Sequence, residues 1–182
     1  MTDLPSLPPA YAWLRTLDAL PLMLFHGLSL HGVAEAEGTR DNPRILAWAA
    51  ELGPEMAAAY RADSIPWCGL FLALVAHRAG KPVPPGPLWA LNWARFGVAA
   101  DRPALGDTLV FRRAGGGHVG LYVGEDPDAF HVLGGNQSDR VCFARIARGR
   151  LFAVRRPDYR NRPPTVRGYE LAASGMLSNN EA

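Results

Sequence analysis

A chain of 182 residues with 48% apolar composition is long enough for one sizeable core and leaves little room for a second domain. Its 19 basic residues against 17 acidic ones give a net charge of +2, and they gather only in "RIARGR" and "VRRPDYRNRPPTVR" near the end. No sustained basic patch is present, which argues against a nucleic-acid partner. Two cysteines, Cys68 and Cys142, are too few for a disulfide framework.

The N-terminus has no basic region ahead of an apolar run, and "PLMLFHGLSLHG" is too short and interrupted to span a bilayer, so neither a signal peptide nor a membrane span is expected. "PPAYAWLRTLDAL" carries Tyr11, Leu14, Leu17 and Leu20 at helical spacing and predicts a short amphipathic helix. A second helix is expected through "PLMLFHGLSLHG", ending near Gly32. "DNPRILAWAAELG" shows a start signal at Asp41 or Asn42, a proline in the first turn and Gly53 as a stop. The stretch "DSIPWCGLFLALVAHRAG" is the fourth helix and "GPLWALNWARFG" a shorter fifth.

From residue 105 the pattern changes. "DTLVFRR", "HVGLYVGE", "AFHVLGG", "RVCFARI" and "RLFAVRR" are short β-rich runs divided by Gly, Pro and Asp, which reads as an antiparallel sheet. Helices first and strands after predict an α+β domain. The tail from Pro157, with "RPPT" and the polar "SNNEA" end, is expected to be loosely ordered.

A free cysteine is usually a small buried hydrophobe. Cys68 departs from that pattern by position. Pro66 suits the first helical residue and places Cys68 in the first turn, where free N–H groups and the helix dipole favour a thiolate and could hold an oxyanion. The thiol is therefore expected to have a pKa lowered from about 8.5 into the range of roughly 3.5–7.5. Cys142 lies in a strand-like run without such a field and reads as a packed thiol. A thiol nucleophile needs a histidine. His26, His31 and His77 lie in apolar helical segments, whereas His118 follows "AGGG" and opens a strand, with space around its ring.

The ordered set "NPRI" at 42–45, "IPWCGLF" at 65–71, "GDTLVF" at 106–111, "GHVGLYVGE" at 117–125 and "VLGGNQSD" at 132–139 resembles the papain-like cysteine peptidases and amidases of the NlpC and CHAP group, which act on bacterial peptidoglycan. The resemblance covers residues 21–157. It implies a papain-like catalytic domain there, with residues 1–20 as a helical extension and 158–182 as a tail. It also implies Cys68 as nucleophile and His118 as general base and acid, acting on peptidoglycan as amidase or stem-peptide endopeptidase. No metal or cofactor is called for, since no ligand cluster shows metal spacing.

The resemblance leaves the third group open among Asn, Glu, Gln and His. A hairpin centred on Pro127 sets Asn136 opposite His118 on one face, which favours Asn136, while His131 falls on the other face. Gln137 and Asp139 are the fallbacks. Trp67, Trp89 and Trp93 are candidates to line a substrate groove, and Asp63 to cap the cysteine helix. Without a signal peptide, the chain resembles a cytoplasmically made phage-type lysis enzyme or a secretion-delivered effector, which would travel with a delivery or immunity protein. The rival readings are a deamidase-type toxin acting on a protein, and a non-catalytic binding module.

Overall fold

In a computed structural model describing residues 4–38, 40–173 and 175–178, the helices precede the strands. A 3-10 helix spans Pro9–Thr16, followed by α1 (Leu22–Leu28), α2 (Pro43–Glu51), α3 (Pro54–Ala59) and α4 (Cys68–Arg78), then a 3-10 helix at Ala90–Arg95. The strands are β1 (Val98–Ala99), β2 (Thr108–Arg113), β3 (Gly116–Glu125), β4 (Ala129–Gly134), β5 (Cys142–Ala147) and β6 (Leu151–Arg156). They form one sheet in the order β1-β6-β2-β3-β4-β5 with every neighbouring pair antiparallel, so the domain is α+β.

The core explains why α4 lies at the centre. Every residue from Cys68 to Ala76 is buried, an apolar surface all the way round that only an interior helix can satisfy. It packs on α1 and α2 on one side and on β3 and β4 on the other. Alternation along the strands divides their side chains between two clusters. Val119, Leu121 and Val123 join the helices, whereas Leu109, Phe111, Tyr122 and Val132 build a smaller cluster.

Local signals account for most boundaries. Asn42 caps α2, its side chain accepting from the Arg44 N–H at 2.8 Å, with Pro43 in the first turn. The second expected helix ends at Leu28 instead of Gly32, because the chain turns through Ser29–Gly32. The fifth is a 3-10 helix. Six residues after Gly53, Pro54–Ala59, form α3, where no helix was expected.

The segments around Tyr11 and Val166 both pack on the same body. Tyr11 and Leu14 of the N-terminal segment are buried in the main core. The tail does not come loose at residue 158: Leu171 donates its N–H to the Glu125 carbonyl at 2.8 Å, Glu125 returns one to Tyr169 at 2.9 Å, and Val166 is buried. These bonds extend the β3 end by a short parallel bridge, which outweighs the proline-rich composition. Of the polar "SNNEA" end, all but Ser178 lies outside the described residues.

Candidate active site

The start of α4 sets the site. Trp67, with φ −121° and ψ 16°, is the N-cap, so Pro66 stands before the helix and Cys68 is its first residue. No side chain caps this end, which leaves the backbone N–H groups of the first turn to other partners. Cys68 is only 3% exposed. Burial raises its thiol pKa, and this outweighs the backbone N–H groups of Val119 and Gly69 and the charge of Arg113, which favour the thiolate. The expectation of a lowered pKa is therefore corrected: a helix N-terminus alone does not offset complete desolvation.

Val119, whose backbone N–H favours the Cys68 thiolate, directly follows His118 on β3. His118 is fully buried and sits opposite Phe111 on β2, the two rings stacked at 6.5 Å. Its Nε2 lies 3.0 Å from Gln137 Oε1. The Gln137 amide is fixed from its other end, where Nε2 donates to the Cys142 carbonyl at 2.5 Å and to the Val132 carbonyl at 3.3 Å. With its NH₂ committed to two acceptors, Gln137 can only present oxygen to the imidazole. His118 Nε2 must then carry the proton, and Nδ1 is the basic nitrogen.

The α4 start and this pair meet across Gly134 and Gly135. A Cβ on Gly134 would stand 2.6 Å from Gln137 Oε1 and 3.2 Å from His118 Nε2, while one on Gly135 would stand 2.6 Å from Phe71 Cβ and 2.8 Å from the Trp67 ring. Only glycine allows that approach.

Asn136 does not take the expected place. The pairing of Leu121 with Leu133 and Tyr122 with Val132 is the register that would bring Asn136 opposite His118. The strand ends first, at Gly134, and the chain turns so sharply that Asn136, Ser138 and Asp139 all have positive φ, at 56°, 51° and 60°. That turn points Gln137 at the imidazole and leaves Asn136 Oδ1 buried with no hydrogen-bond partner among the described residues. Backbone pairing holds the loop: Glu35 N–H donates to the Asp139 carbonyl at 2.8 Å and Val141 N–H to Val33 at 2.7 Å. Asp139 thus serves through its main chain.

His131 belongs to a separate buried cluster. Its Nδ1 meets the Tyr11 hydroxyl at 2.8 Å and its Nε2 the Asp126 carboxylate at 2.8 Å, which Arg145 also grips. Asp63 does not cap α4 but accepts from the N–H groups of Ala36 and Asn42, tying the 34–42 segment to the approach to α4.

A cleft of about 700 Å³ opens on Cys68, lined also by Pro66, Trp89, Arg113, Gly116 and Gly117. Of the three tryptophans, only Trp89 is there, 55% exposed. Trp67 and Trp93 are fully buried, their indole N–H groups bonded to Glu35 at 2.7 Å and to the Pro87 carbonyl at 2.9 Å, so the groove-lining expectation fails for both. Arg113 was missed by the sequence reading. The signal that could have found it is its place beside the glycine run that leads to His118.

Among the described residues, no group of three or more His, Cys, Asp or Glu side chains is placed to hold a metal ion, and no helix is long and apolar enough to cross a membrane. No known family's sequence model matches the chain, and no curated protein matches it.

Proposed function

We propose that the chain is a cysteine hydrolase of papain-like architecture that cleaves an amide bond in bacterial peptidoglycan. Cys68 is the nucleophile, His118 the general base and acid, and Gln137 the residue that orients the imidazole. The observation that carries the reading is the locked Gln137 amide, which makes Nδ1 the basic nitrogen of a histidine whose neighbour, Val119, favours the Cys68 thiolate through its backbone N–H.

The chemistry follows from a buried, protonated thiol. His118 Nδ1 takes the Cys68 proton as sulfur attacks the amide carbonyl, so the thiolate forms during attack. The uncapped N–H groups at the start of α4 stabilise the tetrahedral oxyanion. The imidazolium, its Nε2–H held by Gln137, gives the proton to the leaving amine and an acyl-enzyme remains. Water, deprotonated by His118, then breaks the thioester and restores the thiol. The choice of peptidoglycan rests on the ordered motifs from "NPRI" to "VLGGNQSD".

Incubation with purified peptidoglycan, followed by mass analysis of the soluble fragments, tests the proposal and identifies the bond. Wild-type protein should release fragments with a new carboxyl and a new amino terminus, and Cys68→Ala should release none. Intact peptidoglycan after prolonged incubation with folded wild-type protein would overturn the substrate assignment.

A further inference from the structure

Arg113 closes β2 and lines the cleft onto which Cys68 opens. Its Nε is buried and has no hydrogen-bond partner among the described residues. Four carboxylates, Glu51, Asp126, Glu125 and Asp107, pair with other arginines, namely Arg78, Arg145, Arg148 and Arg156. Glu55, the other charged side chain of the cleft wall, does not pair with it. A guanidinium presents several donors in a rigid planar fork matched to carboxylate, and a buried donor left unmet in such a place is costly unless a ligand meets it.

Space for that ligand is present. A Cβ added at Gly115 or Gly116 would meet nothing within 4 Å, so the strip of cleft beside Arg113 is open. The Arg113 charge is also near enough to Cys68 to favour its thiolate, which brings an anion bound at Arg113 close to the reacting amide.

We infer that Arg113 binds a free carboxylate of the substrate next to the scissile amide, so that the cleft selects an acidic peptide. The inference rests on the cysteine-hydrolase reading and names what that site prefers. A fork-to-fork ion pair of this kind discriminates by roughly 10- to 100-fold.

The test compares two soluble stem peptides that contain the cleaved bond, one with the neighbouring carboxylate free and one with it amidated. kcat/KM is measured for wild type, Arg113→Gln and Arg113→Lys. Wild type should prefer the free acid by roughly 10- to 100-fold, Arg113→Gln should prefer neither, and Arg113→Lys, which keeps the charge without the fork, should fall between. An effect exerted only through the Cys68 thiol would slow both peptides equally and leave the preference intact. Equal rates for wild type, or an undiminished preference in Arg113→Gln, would overturn the inference while leaving the hydrolase reading in place. If Arg113→Gln does not fold, an undiminished preference in Arg113→Lys does the same. A wild type inactive on both peptides and on whole peptidoglycan would sink both readings.

Discussion

Gln137 Oε1 stands 3.0 Å from His118 Nε2, and the same amide donates to the backbone carbonyls of Val132 and Cys142 on the two strands beyond it. One side chain thus ties the imidazole to β4 and β5, and its orientation decides which ring nitrogen is basic.

Gln137→Ala should lower kcat on the order of 100-fold with little change in KM, because the ring loses its orientation and not its substrate contacts. Gln137→Glu keeps an acceptor for His118 but turns carboxylate oxygen toward two carbonyls, so it should also lower the melting temperature. Steady-state kinetics with thermal denaturation separates the two effects.

Asn136 supplies the contrast. With φ at +56° it occupies the left-handed region, which glycine adopts freely and alanine does not. Asn136→Gly should leave stability within about 1 kcal/mol of wild type and activity within a few-fold, whereas Asn136→Ala should cost about 1–2 kcal/mol. Urea denaturation of the two variants checks the ordering.

How far the site was legible turns on these two neighbours. Cys68 at a helix start and His118 on a strand follow from composition breaks and periodicity, and the hairpin register is right at Leu121 and Leu133. The point where β4 stops is not encoded in alternation. It depends on the tertiary pairing of residues 33–35 with 139–141, which pulls the chain out of the sheet after Gly134 and brings Gln137 forward. Burial was equally hidden: a tryptophan looks the same in sequence whether it fills the core, as Trp67 does, or stands in the cleft, as Trp89 does.

The raised Cys68 pKa makes the thiol slow to alkylate near neutral pH. Its iodoacetamide rate should keep rising beyond about pH 9, above the ordinary thiol value. Because the folded-state value is raised, its contribution to stability is complete below the unfolded thiol value and is lost as pH rises through the folded one. Cys142, half-buried with its own thiol raised by burial, should not lag behind. Peptide mapping of alkylated protein across pH 6–10 gives both rates, and a neutral-pH plateau for Cys68 would contradict the burial argument.

The Asp126 cluster governs acid stability. Burial lowers the His131 pKa, so the unfolded chain takes up this proton first and stability falls as pH drops below about 6.5. Asp126 lies well below the ordinary carboxylate range, chiefly because Arg145 hydrogen-bonds it, and its contribution is lost as pH falls further, below about 4. Asp126→Asn should cost about 3–5 kcal/mol by leaving buried Arg145 without its counter-charge. Denaturation midpoints from pH 3 to pH 8 should show the two-step decline in wild type and lose the lower step in Asp126→Asn.

Gly69 marks how closely the 86–90 segment approaches the helix that carries the cysteine. A Cβ there would stand 2.1 Å from the Pro87 carbonyl oxygen and 2.9 Å from that of Leu88, backbone atoms that cannot swing aside. Gly69→Ala should displace the cleft wall that includes Trp89, costing about 1–3 kcal/mol together with activity. Thermal denaturation and the peptidoglycan assay on one preparation check both.

The most direct measurement of the central claim is trapping of the covalent intermediate. Wild-type protein is mixed with soluble peptidoglycan fragments, quenched in acid within the first turnover, and mapped by mass spectrometry. A thioester adduct on Cys68, absent in Cys68→Ala and accumulating more slowly in Gln137→Ala, is the predicted result. Fragment release at the wild-type rate by Cys68→Ala, or an acyl adduct on Cys142 alone, would contradict the account.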